Sequence, residues 1–218
     1  MKNRFYMICT RDTVGTNAAF HCRDGIGYSS DIGRAEVYDL QQAQKTWEFA
    51  REIDLPVSAD HVDALSVYHV DCQLIPRTDD VGDGKAPYVA FVKNRWDGND
   101  VYWITKTTSK TDFSQALKFD QVDESLTGVI WIPFSLADAA KRKTFAIDLL
   151  DKRIMIQGAG LKTPKKIARI NRRRRSGKVR WNCPCCGRIN WQYNPCDFAG
   201  CSNYDCKEWP KSPEQIYA

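Results

Sequence analysis

Six of the nine cysteines (Cys183, Cys185, Cys186, Cys196, Cys201 and Cys206) fall within 24 residues near the C-terminal end of the chain. So dense a thiol cluster serves either a disulfide framework or a metal, and compartment decides between them. Only five uncharged residues, Phe5 to Cys9, separate Arg4 from Thr10 and Arg11, so the opening segment has no apolar leader core. The expected location is the cytoplasm, where clustered thiols bind metal. Cys183-Pro184-Cys185-Cys186-Gly187 forms a tight Cys-x-x-Cys-Gly turn, with Gly relieving the backbone after the second thiol, and Cys201 with Cys206 supplies a second turn. Structural zinc takes four soft ligands in a tetrahedron, commonly delivered by two such turns, so Zn2+ is the expected cofactor. Cys9, Cys22 and Cys72 are scattered and read as small buried hydrophobes.

Charge points to a partner for this module. Between Leu161 and Arg180 lie ten Lys or Arg and no Asp or Glu; subtracting those ten from the net +5 leaves −5 for the rest. An acidic body with a basic arm implies a polyanion, and phosphate binding needs such a footprint. Pro164 can open a helix carrying Lys165, Lys166, Arg169, Arg172, Arg173, Arg174 and Arg175, with Ile167 and Ile170 on another side and Ser176-Gly177 as its end. Lys178, Arg180 and Arg188 continue the charge into the cysteine module. Trp181, Trp191, Tyr193, Phe198, Tyr204 and Trp209 are more aromatic surface than so small a module can bury. Exposed rings beside cations stack unpaired bases, which makes Trp191, Tyr193 and Tyr204 candidates for contact with DNA, including single strands. Trp181 and Phe198 serve equally well as a miniature core.

Phe198-Ala199-Gly200-Cys201-Ser202-Asn203-Tyr204-Asp205-Cys206-Lys207, with the Cys-Pro-Cys-Cys-Gly turn before it, resembles the C-terminal zinc ribbons of bacterial type IA DNA topoisomerases. The likeness covers about 30 residues and implies no topoisomerase activity. It implies that Cys183, Cys186, Cys201 and Cys206 are the ligands, and that the ribbon binds single-stranded DNA. This chain has one residue fewer between Cys201 and Cys206 and extra thiols at Cys185 and Cys196, which makes Cys196 an alternative ligand. Phe20-His21, Gly25 to Asp31, Ala35 and Val37-Tyr38 look similar to a hairpin in uncharacterised bacteriophage and prophage proteins. That likeness suggests a phage origin and implies no known activity; the acidic body is what suggests a protein partner, which would then belong to the host.

Catalytic chemistry has thinner support, and no catalytic residue is assigned. His61 with Asp60 and Asp63, or His69 with Asp71, could serve a metal-dependent nuclease, since residues two apart on a strand share a face. No phosphate-cradling glycine loop and no nucleophile motif is present. The leading expectation is an accessory protein that holds DNA through arm and ribbon while its acidic domain engages replication, recombination, transcription or defence machinery. A DNA-processing enzyme and a protein-only inhibitor with a structural ribbon are the alternatives.

The elements that position these residues read as α+β with a mostly antiparallel sheet and two or three helices, followed by the arm and ribbon. The expected division is a main domain over 1–157, a hinge and arm over 158–180, and a ribbon with its tail over 181–218. Arg4 to Thr10 and Ala18 to Arg23 read as the strands of an opening hairpin. Asp39 caps a helix reaching Ile53 and stopped by Pro56, and Ala64 to Ile75 alternates like a strand. Tyr88 to Lys106 forms a hairpin turning at Asp97-Gly98, and Gly128 to Phe134 is a further strand. Ser135 and Asp138 make a capping box for a helix through Leu150. No run is long enough to span a bilayer, so no membrane contact is expected.

Overall fold

The computed structural model describes residues 3–82, 84–175, 177–194 and 196–209, apart from the side chains of residues 173–175. The fold is α+β with antiparallel strand pairing throughout the described sheets. Two compact units divide the chain, residues 1–162 and residues 163–218.

The first unit is built on two four-stranded sheets. Strands β1 (Phe5–Val14), β2 (Asn17–His21), β3 (Tyr28–Ser29) and β4 (Asp54–Ser58) form one, in the order β3-β2-β1-β4. Phe5 to Cys9 are all buried, because β1 is a central strand covered on both faces. The helix capped by Asp39, α1 (Leu40–Phe49), starts with a reciprocal capping box: Gln42 N donates to Asp39 Oδ1 at 2.7 Å and Asp39 N to Gln42 Oε1 at 2.9 Å. It ends at Phe49 rather than Ile53. Pro56 lies inside a strand, tolerated because β4 is an edge that can spare one N–H.

Between the sheets the sequence pattern misleads. Ala59–Leu65 is a helix, α2, and the strand expected over Ala64 to Ile75 shrinks to β5 (Val67–Val70). The second sheet runs β8-β7-β6-β9, from β6 (Tyr88–Asp97), β7 (Asp100–Ile104), β8 (Ser109–Lys110) and β9 (Val129–Pro133). Val89, Phe91, Val101, Trp103, Ile130 and Ile132 on one face form an apolar core with Phe113 and Ala137. The helix expected from Ser135 to Leu150 also breaks up. A two-turn helix, α3 (Phe134–Ala140), has Pro133 at its N-cap with no side-chain cap, and Lys141–Thr144 form β10 against β5.

The hairpin tips of the two sheets meet at a pair of glycines. Gly15 and Gly98 both have φ of +60, and a Cβ on Gly98 would stand 2.5 Å from Gly15 N. Thr16 N donates to Asp97 Oδ1 at 3.1 Å, and Thr16 Oγ1 bonds the same carboxylate. One residue further in, Asn17 Nδ2 reaches Asp100 Oδ2 at 2.6 Å. Residues 158–162 belong to this unit, and Gln44 pins its end by bonding both Lys162 O and Lys162 N at 2.9 Å.

The second unit opens with helix α4 (Lys165–Arg175), in which Ala168 N bonds Pro164 O at 2.9 Å. Ile167 is buried and Ile170 half-buried, while Lys165, Lys166, Arg169 and Arg172 are exposed. The side chains of Arg173, Arg174 and Arg175 and the expected stop at Ser176 lie outside the described residues. A hairpin of β11 (Val179–Asn182) and β12 (Ile189–Gln192) follows, and then a loop containing Cys201 and Cys206.

Candidate metal centre and nucleic-acid interface

Two tight turns carry the thiols. In the first, Cys183 N donates to Arg188 O at 2.8 Å and Gly187 N to Cys183 O at 2.9 Å, with Gly187 at φ +70. Such a left-handed position favours glycine because it lacks a Cβ. In the second, Cys206 N bonds Asn203 O at 3.0 Å, Trp209 N bonds Cys206 O at 2.9 Å, and Cys201 N bonds Glu208 O at 2.7 Å.

These turns bring the sulfur atoms of Cys183, Cys186, Cys201 and Cys206 within 4.8 Å of one another. Cys183 and Cys206 stand 3.6 Å apart, and Cys186 and Cys201 3.5 Å. A tetrahedron of thiolates about 2.3 Å from a central ion has edges of about 3.8 Å, so the four sulfurs surround a space of ionic size. Three of them are buried and Cys186 faces solvent. Among the described residues, this is the one group of three or more His, Cys, Asp or Glu able to hold a metal ion. Cys196 is exposed on the loop after β12, outside that set, so the shorter spacing between Cys201 and Cys206 needs no substitute ligand.

The thiols differ electrostatically. The backbone N–H of Arg188 donates to Cys186 and holds its thiol down to about 7, against some burial. Burial raises Cys201, against an N–H from Asn203. At Cys206 the Glu208 N–H favours thiolate, but burial and the neighbouring thiols of Cys183, Cys186 and Cys185 together hold it well above the ordinary range. Sulfurs this close cannot all be anionic without a cation among them.

Strand β12 has its amphipathicity inverted. Asn190 and Gln192 point inward, while Ile189, Trp191 and Tyr193 are 47%, 43% and 71% exposed. The amides organise the loops: Asn190 Oδ1 accepts from Ser202 N at 2.6 Å, and Gln192 Oε1 from Ala199 N at 2.8 Å. Opposite the outward face, Arg180 pairs in register with Trp191, and Lys178 Nζ lies 5.0 Å from the centre of the Tyr193 ring. Lys178, Arg180, Trp191 and Tyr193 thus share one surface. The sequence singled out each of them, but not that they would converge. Tyr204 is exposed on the second turn, Arg188 is exposed in the first, and Trp209 is 45% exposed. Trp181 and Phe198 are the miniature core, with ring centres 6.0 Å apart and Phe198 against Cys183, Cys201 and Cys206.

The histidines of the first unit each have polar partners. His69 Nδ1 lies 2.7 Å from Asp100 Oδ2 and 3.1 Å from Thr144 Oγ1, while Asp71 accepts from Gln73 N at 2.8 Å and Asn99 Nδ2 at 3.3 Å. His61 Nδ1 meets Ser58 Oγ at 3.0 Å, while Asp60 and Asp63 bind Arg4 at 2.9 Å each. Asp100 is fully buried, paired with Arg142 at 2.6 Å besides His69 and Asn17. That polar node escaped the sequence reading, because Asp100 sits at the end of a turn motif that accounts for an Asp already. A cleft of about 410 Å3 in this unit is lined by His21, Cys22, Gly25, Gly27, Tyr28, Glu36 and Tyr38. His21 Nε2 stands 3.2 Å from Asp54, whose carboxyl burial would raise but Arg51 and His21 hold below the usual range. No helix among the described residues is long and apolar enough to cross a membrane.

No family model, curated protein or solved structure matches the chain.

Proposed function

We propose that this chain is a nucleic-acid-binding accessory protein whose second unit, organised around a structural Zn2+, holds DNA. The observation that carries the reading is the inverted β12 strand. The rings of Trp191 and Tyr193 are exposed while the amides of Asn190 and Gln192 take the inward positions and tie the loops, which leaves ring surface open to a ligand. Arg180 and Lys178 beside those rings supply phosphate neutralisation next to stacking surface. The exposed Lys165, Lys166, Arg169 and Arg172 of α4 extend the same charge. In all, residues 163–218 hold twelve Lys or Arg against four Asp or Glu, whereas residues 1–162 hold 20 against 23.

Four sulfur donors with tetrahedral spacing favour Zn2+, and Cys183, Cys186, Cys201 and Cys206 would hold it. The ion's contribution is structural: it neutralises the thiolates and fixes the hairpin. Acidic balance in the first unit supports a protein partner there rather than a second DNA surface.

Titrating the zinc-loaded full chain into labelled single- and double-stranded DNA at several salt concentrations tests this reading. Affinity should fall steeply with salt and drop with Trp191→Ala and Tyr193→Ala, more so for single strands. Absence of binding at low salt overturns it.

A further inference from the structure

The first unit already holds one guanidinium against a tyrosine. Arg51 donates to both oxygens of Asp54, at 2.8 and 2.9 Å, and bonds the Tyr28 hydroxyl, with its Cζ 5.6 Å from the centre of the Tyr28 ring. A planar cation near a ring, with a carboxylate along its edge, gains a cation–π contact and paired charge-assisted hydrogen bonds. The cleft beside Tyr28, about 410 Å3 and so at the small end of the range for ligand pockets, offers a ring and a carboxylate a second time. Glu36 and Tyr38 both line it, on a stretch fixed by Glu36 N to His21 O and Tyr38 N to Phe5 O, each at 2.9 Å. The Glu36 carboxylate is half-buried and has no side-chain hydrogen bond or ion pair among the described residues. Burial, and after it the Glu36 charge, raise the Tyr38 phenol, which keeps that ring neutral.

The rest of the cleft suits a cation. Among the described residues no Lys or Arg lines it, and Arg23 on the same loop donates to the carbonyls of Gly33 and Ala35, at 2.8 and 3.4 Å, instead. The His21 ring meets Tyr28 edge-on, with centres 4.8 Å apart, and its Nε2 stands 3.2 Å from Asp54, so the Tyr28 wall is held from both His21 and Arg51. Gly25 and Gly27, both at positive φ, leave the rim without side chains, and a Cβ there would meet nothing within 4 Å. Ile26 between them is 67% exposed and offers apolar surface to the stem of a long side chain. We propose that this cleft is a docking site for an arginine side chain of a protein partner, with the guanidinium held by Glu36 against the tyrosine rings. A lysine ammonium has no plane to stack, and a nucleotide brings phosphates that the acidic balance of this unit repels. The inference deepens the reading of the first unit as the part that engages a protein, and rests on it.

The test titrates capped pentapeptides, each with one arginine, lysine or citrulline between glycine and serine residues, into isotope-labelled, zinc-loaded full-length chain. Backbone amide shifts at Gly25, Gly27, Glu36 and Tyr38 are followed by NMR. The arginine peptide should shift them saturably, the lysine peptide more weakly, and the citrulline peptide, which keeps the shape and loses the charge, not at all. Glu36→Gln should bind the arginine peptide about tenfold less tightly at an unchanged melting temperature, since its carboxylate has no partner within the fold. No saturable shift at the cleft, or equal binding by the citrulline peptide or by Glu36→Gln, overturns the inference. Saturation of the same amides by guanosine monophosphate and not by the arginine peptide assigns the cleft to a nucleotide and overturns it as well. DNA titration of the wild type reads the ribbon separately: its failure overturns the DNA reading and leaves the cleft standing.

Discussion

The two units hold themselves together by different means. Residues 1–162 enclose an apolar core between sheets and helices and place a charged node inside it. The ribbon has a core of three cysteines and Phe198 with Trp181 beside it, and leaves Trp191, Tyr193 and Tyr204 exposed. A domain with a packed core can use its surface loosely. A module without one must borrow stability from a bound ion, and in exchange frees its apolar residues for contact. On the proposed reading, stability and binding surface compete in the ribbon and not in the body.

Removing the ion should separate the units most completely. Structural zinc contributes on the order of 10 kcal/mol of apparent binding free energy in small modules, so Cys201→Ser or a strong chelator should abolish the ordered ribbon and DNA affinity together. The aromatic near-UV signal and the thermal transition of the first unit should persist; a single joint transition would contradict the comparison. The reciprocal experiment strikes the body. Asp100→Ala leaves Arg142 and His69 in the interior without their carboxylate and should cost about 3–5 kcal/mol in denaturant unfolding. Zinc stoichiometry should be unchanged.

At the meeting of the hairpin tips, Gly98→Ala imposes a Cβ where Gly15 N stands 2.5 Å away, on a backbone with φ of +60. A loss of about 2 kcal/mol or more is expected in the same unfolding measurement. The smallest effects fall on the ribbon's outer face. Trp191→Ala or Tyr193→Ala should each weaken single-stranded DNA binding by about 1–3 kcal/mol, with little change in melting temperature. A stability loss matching the affinity loss would mean that the rings are structural.

The clustering of Cys183, Cys186, Cys201 and Cys206 was legible because knuckle spacing is local and the Cys-x-x-Cys-Gly turn is short. Asp39, the hairpin around Asp97-Gly98 and the helix after Pro164 were legible for the same reason. Lys141–Thr144 were not. A strand is recognised by alternating apolar residues, and here the inward positions are Arg142 and Thr144, facing Asp100 and His69, while Lys141 and Lys143 flank Tyr68 outside. Polar inward positions erase the signal. Strand β12 hides its character differently: Ile189, Trp191 and Tyr193 alternate clearly, but the periodicity cannot say which side faces water. The amides' bonds to the loops, among them those to Asn194, Ala199 and Ser202 further along the chain, settle the direction.

The glycine contact between the tips also fixes an order of events during synthesis. Asn17 bridges Ala146, Ala18 N bonds Phe145 O, and Gly15 rests on Gly98, so a hairpin made early in this unit is finished by some of the unit's last residues. Its buried strand β1 must wait for more than a hundred residues of chain. Closing loops of that length is slow and leaves apolar strands uncovered meanwhile. The ribbon, whose four sulfurs lie within one short stretch of chain, closes without any such wait.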